Sequence, residues 1–134
     1  MNLLIQALSS YGSKYKREYS NLCRVDIPEN ANWCGVFIGW VLACLGYKLP
    51  PKPQVARSYL KVGVPVEKPR IGDLAIFYRV SPSDWRGHVS IVIREDDTGV
   101  YCLGGNQKGK VQISRYQKKK LLGYRRLIDD PATV

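Results

Sequence analysis

A cysteine, a histidine and an asparagine follow one another in the order found in cysteine enzymes that hydrolyse amides. Cys34 opens the apolar run CGVFIGWVLACLG, His88 begins the alternating segment HVSIVIR, and Asn106 lies within LGGNQ. A thiolate attacks the carbonyl carbon, an imidazole carries the proton, and an amide oxygen fixes the orientation of that imidazole. These three residues are therefore the candidate catalytic group, with Gln107 as a second candidate for the third role.

The position of Cys34 at the start of a predicted helix favours its thiolate form. Free N–H groups and the helix dipole stabilise an anion there, and a neighbouring imidazolium adds to the effect. At ~4 Å and an effective dielectric constant of ~20, that attraction is about 4 kcal/mol, or roughly three pKa units. The same position also suits a small apolar side chain in the core. Helix position alone leaves both interpretations open, whereas Cys44 and Cys102 are expected to be core residues.

Neither His88 nor Asn106 is decisive when it is considered alone. A solitary histidine is often a surface or structural residue, and GGNQ also suits a tight turn because Gly and Asn tolerate positive φ. However, His88 follows Gly87 at the start of a strand, where a side chain can reach a cleft. Ser90, on the same strand face, is small enough to let a helix come close. The order of the three residues is that of a papain-like hydrolase.

The elements that must position these residues follow a helices-then-strands pattern. Helical spacing predicts helices at residues 2–11, from Cys34 to a terminating Gly46, and at residues 56–63. The second helix has an apolar stripe expected to face the sheet, made of Cys34, Phe37, Ile38, Val41, Leu42 and Leu45. Gly35, Gly39 and Ala43 form a second row along this helix, and their small size allows another backbone to approach closely.

After the helices the hydrophobic period becomes that of strands. Alternation predicts strands at residues 73–79, 88–94, 99–104, 110–116 and 121–127. The run Lys118-Lys119-Lys120 between the last two is expected to be a solvated turn. We therefore expect a single α+β domain over residues 1–134, with N-terminal helices packed on an antiparallel sheet of about five strands.

Composition and charge restrict the possible partners. The formal net charge of +10 and a pI near 9.6 favour a polyanion: nucleic acid, an anionic membrane or an acidic cell-wall polymer. No nucleic-acid motif and no closely spaced Cys and His ligands are present, so neither specific nucleic-acid binding nor a metal site is expected. No apolar run reaches the roughly 18 residues of a transmembrane helix. The start lacks the pattern of a secretory signal, which predicts cytoplasmic synthesis with reduced thiols.

Segments across most of the chain resemble a known family. They are NWCGVFIGWVLACLG (32–46), ARSYLKVG (56–63), PRIGDLAIFYR (69–79), GHVSIVI (87–93), LGGNQ (103–107) and LLGYRR (121–126). In sequence and order they resemble the CHAP and NlpC/P60 superfamily of bacterial cell-wall cysteine hydrolases, especially a compact group common in phages. The resemblance implies a papain-like fold, with Cys34 as nucleophile, His88 as general base and acid, and Asn106 as the orienting residue.

The resemblance also implies a substrate and a setting. The substrate would be peptidoglycan, cut within the stem peptide or crossbridge or at the amide joining sugar to peptide, without metal or organic cofactor. Trp33 and Trp85 are candidates for binding peptide or sugar, and the backbone of Cys34 together with Asn32 for the oxyanion. A phage lysis or virion-associated enzyme fits best, acting in the wall or periplasm or on the virion; as a lysis enzyme it would need a holin. A secreted antibacterial effector is an alternative setting.

Two departures from the family keep other functions open. Gly104 stands where many CHAP members carry a glutamate, and the chain has no second histidine of the kind that NlpC/P60 members often use. A cysteine hydrolase or acyl-transferase acting on a non-wall amide shares the same site. A third possibility is an inactive basic domain with a binding or structural role, which does not need this site.

Overall fold

One antiparallel sheet of six strands is the frame of the protein. The computed structural model describes residues 34–107 and 110–128. The elements in chain order are α1 (Cys34–Cys44), a 3₁₀ helix (Ala56–Lys61), β1 (Val64–Val66), β2 (Leu74–Tyr78), β3 (Gly87–Glu95), β4 (Gly99–Gln107), β5 (Lys110–Gln117), a 3₁₀ turn (Lys118–Lys120) and β6 (Leu121–Arg126). The strand order is β1-β6-β2-β3-β4-β5, with every neighbouring pair antiparallel. The α+β prediction is confirmed, and the helix predicted at residues 2–11 lies outside the described residues.

The sheet has one strand more than the expected five. The five predicted strands correspond closely to β2 through β6, and the additional strand is β1, which pairs with β6 through Val64 and Arg126. This strand has three residues, too few to show alternation, and its middle residue is Pro65. Proline has no N–H to donate and is tolerated at a sheet edge, which is where β1 lies.

Helix α1 is buried on nearly every side, and not only along the predicted stripe. Val36 and Trp40 lie off the stripe yet are buried together with most of its members, whereas Leu45 at the end of the stripe is 42% exposed. The helix contacts β3 and β4 on one side and the 3₁₀ helix on another. The predicted stripe is therefore buried as expected except at Leu45, and burial extends beyond it because neighbours enclose α1.

The end of α1 confirms the predicted role of Gly46. Gly46 has φ of 82°, its N–H donates to the Ala43 carbonyl at 3.1 Å, and the Tyr47 N–H donates to the Leu42 carbonyl at 2.9 Å. These two hydrogen bonds and the left-handed glycine form a Schellman motif. The helix therefore ends where the sequence predicts it.

The sheet curls strongly, so its two faces enclose separate cores. On the outer face, α1 packs over residues that include Ile76, Ile91 and Leu103. On the inner face the rings of Phe77 in β2 and Tyr116 in β5 stack with centroids 5.1 Å apart. Strands three positions apart in a flat sheet are about 14 Å apart. The short ring distance indicates that the inner face closes on itself, around a second cluster that includes Val92 and Cys102.

A buried ion pair ties the start of β2 to the end of β6. The Asp73 carboxylate accepts hydrogen bonds from Arg126 Nε at 3.0 Å, from Arg126 Nη2 at 2.9 Å and from the Arg70 backbone N–H at 2.8 Å. The Asp73 side chain is 5% exposed and that of Arg126 is 28% exposed. The glycine-aspartate pair in PRIGDLAIFYR therefore has a structural role in joining two strands, at a distance from the cysteine.

We predict that Arg126→Gln lowers the free energy of unfolding by about 3 kcal/mol, because it leaves the buried Asp73 carboxylate without its ionic partner. The matched control is Arg115→Gln, which breaks the ion pair between Arg115 and Asp96. The side chains of these two residues are 37% and 36% exposed. Such an exposed pair is worth less than about 1 kcal/mol. Urea unfolding measures both variants, and equal losses would contradict the structural role given to Asp73.

Candidate active site

The sulfur of Cys34 lies at the point where two central strands separate. Pairing between β3 and β4 begins at Ile91 and Leu103, although β3 starts at Gly87 and β4 continues to Gln107. The first residues of β3 therefore have backbone groups available to α1. Cys34 Sγ lies 4.0 Å from the Gly87 carbonyl oxygen, and the Val89 N–H hydrogen bonds to the sulfur. The first residue of α1 thus occupies the gap between the strands.

The start of α1 is fixed by a close backbone contact. The Tyr59 hydroxyl lies 2.5 Å from the Gly35 carbonyl oxygen and 2.9 Å from that of Pro53, within donating distance of both. A Cβ on Gly35 would lie 2.6 Å from the Pro53 oxygen, which no real side chain tolerates. The predicted close approach of another backbone is confirmed at Gly35. The residue next to the candidate nucleophile is therefore held by a buried tyrosine.

The imidazole of His88 is held on three sides. Its Nε2 lies 2.5 Å from Ser90 Oγ, and its Nδ1 lies 3.4 Å from Arg79 Nη2. The Tyr116 ring stacks on the imidazole with centroids 4.7 Å apart and an angle of 27°. Because a guanidinium only donates, Nδ1 accepts and the proton of a neutral ring is assigned to Nε2, which donates to Ser90. The ring can therefore neither flip nor tilt without losing contacts.

The Nδ1 edge of the ring is assigned as the edge that faces the sulfur, because Nε2 is held by Ser90. Arg79 Nε donates to the Gly87 carbonyl oxygen at 2.9 Å, and Cys34 Sγ approaches the same oxygen. The His88 side chain hydrogen bonds to the Cys34 sulfur, while its Nε2 is already on Ser90. The unprotonated Nδ1 is thus placed to accept the proton of the thiol.

These contacts shift the acidity of the thiol. Burial alone raises the pKa of Cys34, but the charge and hydrogen bond of His88, the Val89 N–H and the charge of Arg79 outweigh burial and bring the pKa to about 7. At neutral pH about half of such a thiol is ionised, against roughly 3% at the ordinary pKa of ~8.5. Burial raises the pKa of Cys102 well above its usual range. The two thiols therefore lie in different electrostatic surroundings, and the core position predicted for Cys102 is confirmed.

The structure brings together two of the three predicted catalytic residues. Cys34 and His88 are in contact. The backbone of Asn106 lies in β4, beyond the last residue that pairs with β3. The side chains of Asn106 and Gln107 lie outside the described part of the structure. Asn32 and Trp33 also lie outside the described residues. The third catalytic role and the predicted oxyanion donor Asn32 therefore stay predictions.

Three contacts of the imidazole were missed by the sequence analysis. Ser90 was placed on the correct strand face but was given only a steric role, although alternation itself puts its hydroxyl beside His88. Arg79 directly follows β2, and the register Tyr78–Gly87 brings it next to the start of β3. Tyr116 is far along the chain and reaches His88 only because the sheet curls. No sequence period reveals that curvature.

The loop before His88 presents Trp85 to solvent. Trp85 is 69% exposed, and Val80 in the same loop is 59% exposed. Arg57 holds this loop from the 3₁₀ helix, with Nη1 donating to the Pro82 carbonyl at 2.7 Å and Nη2 to that of Ser81 at 2.9 Å. An exposed aromatic ring on a braced loop that leads into His88 is compatible with the substrate-binding role of Trp85, which stays a prediction.

Comparisons with known proteins do not assign the chain to a family. No protein-family model matches the chain, and no curated protein matches it at a significant level. The resemblance to CHAP and NlpC/P60 enzymes therefore rests on its motifs. Within the described residues, no helix has the length and apolar character to cross a bilayer, and no group of three Cys, His or acidic side chains is arranged for a metal ion.

We predict that iodoacetamide alkylates Cys34 with an apparent pKa of about 7. His88→Ala removes the largest influence that lowers this pKa, so the pKa rises and alkylation at pH 7 slows by about tenfold. At high pH, where the thiol is ionised in both proteins, the two rates should converge. Peptide mapping by mass spectrometry identifies the labelled residue, with Cys102 as an internal control that stays unlabelled in the folded protein. A wild-type pKa near 8.5, unchanged in His88→Ala, would contradict the proposed pairing.

Proposed function

We propose that this protein is a cysteine hydrolase that cleaves an amide bond of peptidoglycan. The observation that carries the proposal is the contact of the Cys34 sulfur with the His88 imidazole, which brings the pKa of the thiol to about 7. A buried ionisable thiol beside an oriented imidazole is the arrangement of a nucleophile with its general base. A helix that begins at the cysteine and packs on an antiparallel sheet also agrees with the papain-like fold that the family resemblance implies.

The first half of the reaction forms a thioester. The Cys34 thiol transfers its proton to His88 Nδ1, and the sulfur attacks the amide carbonyl carbon to give a tetrahedral oxyanion. The oxyanion collapses as the carbon–nitrogen bond breaks, and the proton on Nδ1 passes to the leaving nitrogen. The products of this half are a free amine and a thioester on Cys34. The Cys34 backbone N–H, in the first turn of α1, is the proposed donor to the oxyanion.

The second half regenerates the thiol. A water molecule gives a proton to the now neutral His88 and attacks the thioester carbonyl, and the carbon–sulfur bond breaks to release a carboxylic acid. The proton on Nδ1 returns to the departing sulfur, which restores the thiol and the neutral imidazole, and the released acid loses its own proton to water. In both halves the imidazole becomes transiently cationic, with N–H groups at both nitrogens. Ser90 accepts from Nε2 throughout and holds the ring in one orientation. The orienting role of Asn106 remains part of the proposal, alongside Ser90.

The choice of peptidoglycan rests on charge, on the exposed ring and on the family resemblance. A net charge of +10 attracts an anionic wall polymer, and this attraction weakens as salt shortens the Debye length to ~8 Å. Trp85 offers an exposed surface for a sugar or peptide beside the site. A phage lysis enzyme that reaches the wall with a holin, or a virion-associated enzyme, is the setting that we propose.

We predict that the purified protein releases fragments from bacterial peptidoglycan and that Cys34→Ala and His88→Ala lower the rate by at least about 10³-fold. Mass spectrometry of the new termini separates an amidase from an endopeptidase. Cys102→Ala is the matched control, because that thiol lies in the inner core and is expected to leave turnover per folded molecule unchanged. Cleavage that persists in Cys34→Ala would show that Cys34 is not the nucleophile, and intact walls with the wild type would contradict the proposed substrate.

We predict that Ser90→Ala lowers kcat by about 10- to 100-fold, because the imidazole loses a buried hydrogen bond that holds it in place. KM should stay within about twofold, since Ser90 is fully buried and does not reach a substrate. The pH profile of kcat/KM should shift with the mutation, which loss of packing alone does not cause. Ser114→Ala, on β5 outside the site, is the control. Unchanged kcat in a folded Ser90→Ala protein would return the orienting role to Asn106 or Gln107.

A further inference from the structure

The guanidinium of Arg79 lies at the mouth of the site, and none of the described residues gives it an acidic partner. Its Nε donates to the Gly87 carbonyl oxygen at 2.9 Å and its Nη2 lies 3.4 Å from His88 Nδ1. The residue is exposed, and no carboxylate contacts it within the described part of the chain. An arginine side chain offers five N–H donors in a planar fork. Arg79 directs one to the Gly87 carbonyl and one to the His88 ring, so further N–H groups remain for another acceptor.

Neighbouring charged groups are already engaged and do not compete with Arg79. Arg57 donates through Nη1 and Nη2 to the Pro82 and Ser81 carbonyls, and Arg86 forms a bidentate pair with the Asp84 carboxylate at 2.8 and 3.0 Å. The hydrogen bonds of Arg86 hold the pKa of Asp84 down, near 2, so that carboxylate stays ionised and paired. Arg79 is therefore the cation of this loop that an incoming anion meets beside the sulfur.

We propose that Arg79 is the subsite for a carboxylate of the substrate, so that the enzyme selects amides flanked by a residue with a free carboxylate. The inference deepens the proposed function and rests on it for the reaction. Arg79 Nε and Cys34 Sγ contact the same Gly87 oxygen, so a group bound by Arg79 lies next to the carbonyl under attack. An α-carboxylate on the residue adjacent to the scissile amide is the nearest one that a peptide offers. Planar carboxylates match the arginine fork.

Binding at this subsite also relieves a conflict within the site. When His88 takes the thiol proton, Nδ1 becomes a donor and can no longer accept from Arg79. A substrate carboxylate that pairs with the guanidinium gives the displaced N–H groups an acceptor. A substrate with a carboxylate thus removes the clash of donors that the proton transfer creates, whereas a neutral analogue leaves two donors facing one another.

The test compares two alkylating probes of nearly equal size that differ in charge, iodoacetate and iodoacetamide, at Cys34 of the intact protein. The ratio of their rates cancels changes in thiol ionisation, because both reagents require the thiolate. We expect the wild-type ratio of iodoacetate to iodoacetamide to exceed that of free cysteine. In Arg79→Gln it should fall by about 10- to 100-fold, which corresponds to a lost charged hydrogen bond. Arg94→Gln removes the same charge from β3, where Arg94 stacks over Tyr101, and should keep the wild-type ratio.

Each outcome of this test has a defined meaning. A wild-type ratio no higher than that of free cysteine, or an equal fall in Arg79→Gln and Arg94→Gln, would overturn the carboxylate subsite. The wild-type measurement needs no variant, so the proposal stays testable if Arg79→Gln does not fold. The probes act on the thiol without peptidoglycan, so failure of wall cleavage and failure of the subsite are observed separately.

Discussion

The contact between the Cys34 sulfur and the His88 imidazole depends on a gap in the sheet. Antiparallel strands β3 and β4 pair only from Ile91 and Leu103 onward, and the first residue of α1 fills the space left between them. A fully paired sheet would offer the helix a closed surface of side chains. The separation of the strands instead lets the sulfur reach the Gly87 carbonyl and the Val89 N–H. The chemistry of the site therefore follows from where pairing stops.

Burial and charge act in opposite directions on that sulfur. Removing a thiolate from water raises the pKa of Cys34, and the same effect raises the pKa of Cys102, so that the Cys102 thiol keeps its proton. The imidazole of His88 and the guanidinium of Arg79 supply positive charge that outweighs desolvation, since Coulomb attraction is stronger where water is excluded. The same burial that opposes ionisation thus strengthens the interactions that promote it. The balance lies near neutrality, where thiol and thiolate are both populated.

The sequence predicted the order of elements and the meeting of Cys34 with His88, but not how the two residues are supported. Alternation and a terminal glycine were enough for β2 through β6 and for the end of α1 at Gly46, because these signals are local. Trp40 and Val36 are buried off the predicted stripe because neighbours enclose α1, and Tyr116 reaches His88 because the sheet curls. Both effects join residues far apart in the chain. A local pattern contains no information about them.

The confinement of His88 determines the direction in which its proton moves. Tyr116 covers one face of the ring, Ser90 accepts from Nε2, and Arg79 lies against Nδ1 from the solvent side. Burial raises the pKa of Tyr116, so its phenol stays neutral and contributes packing but no charge. With Nε2 engaged by a buried serine, proton exchange is restricted to Nδ1, the edge shared by the sulfur and the guanidinium. A ring held in this way suits the proposed role of base and then acid at a single position, which thioester chemistry requires.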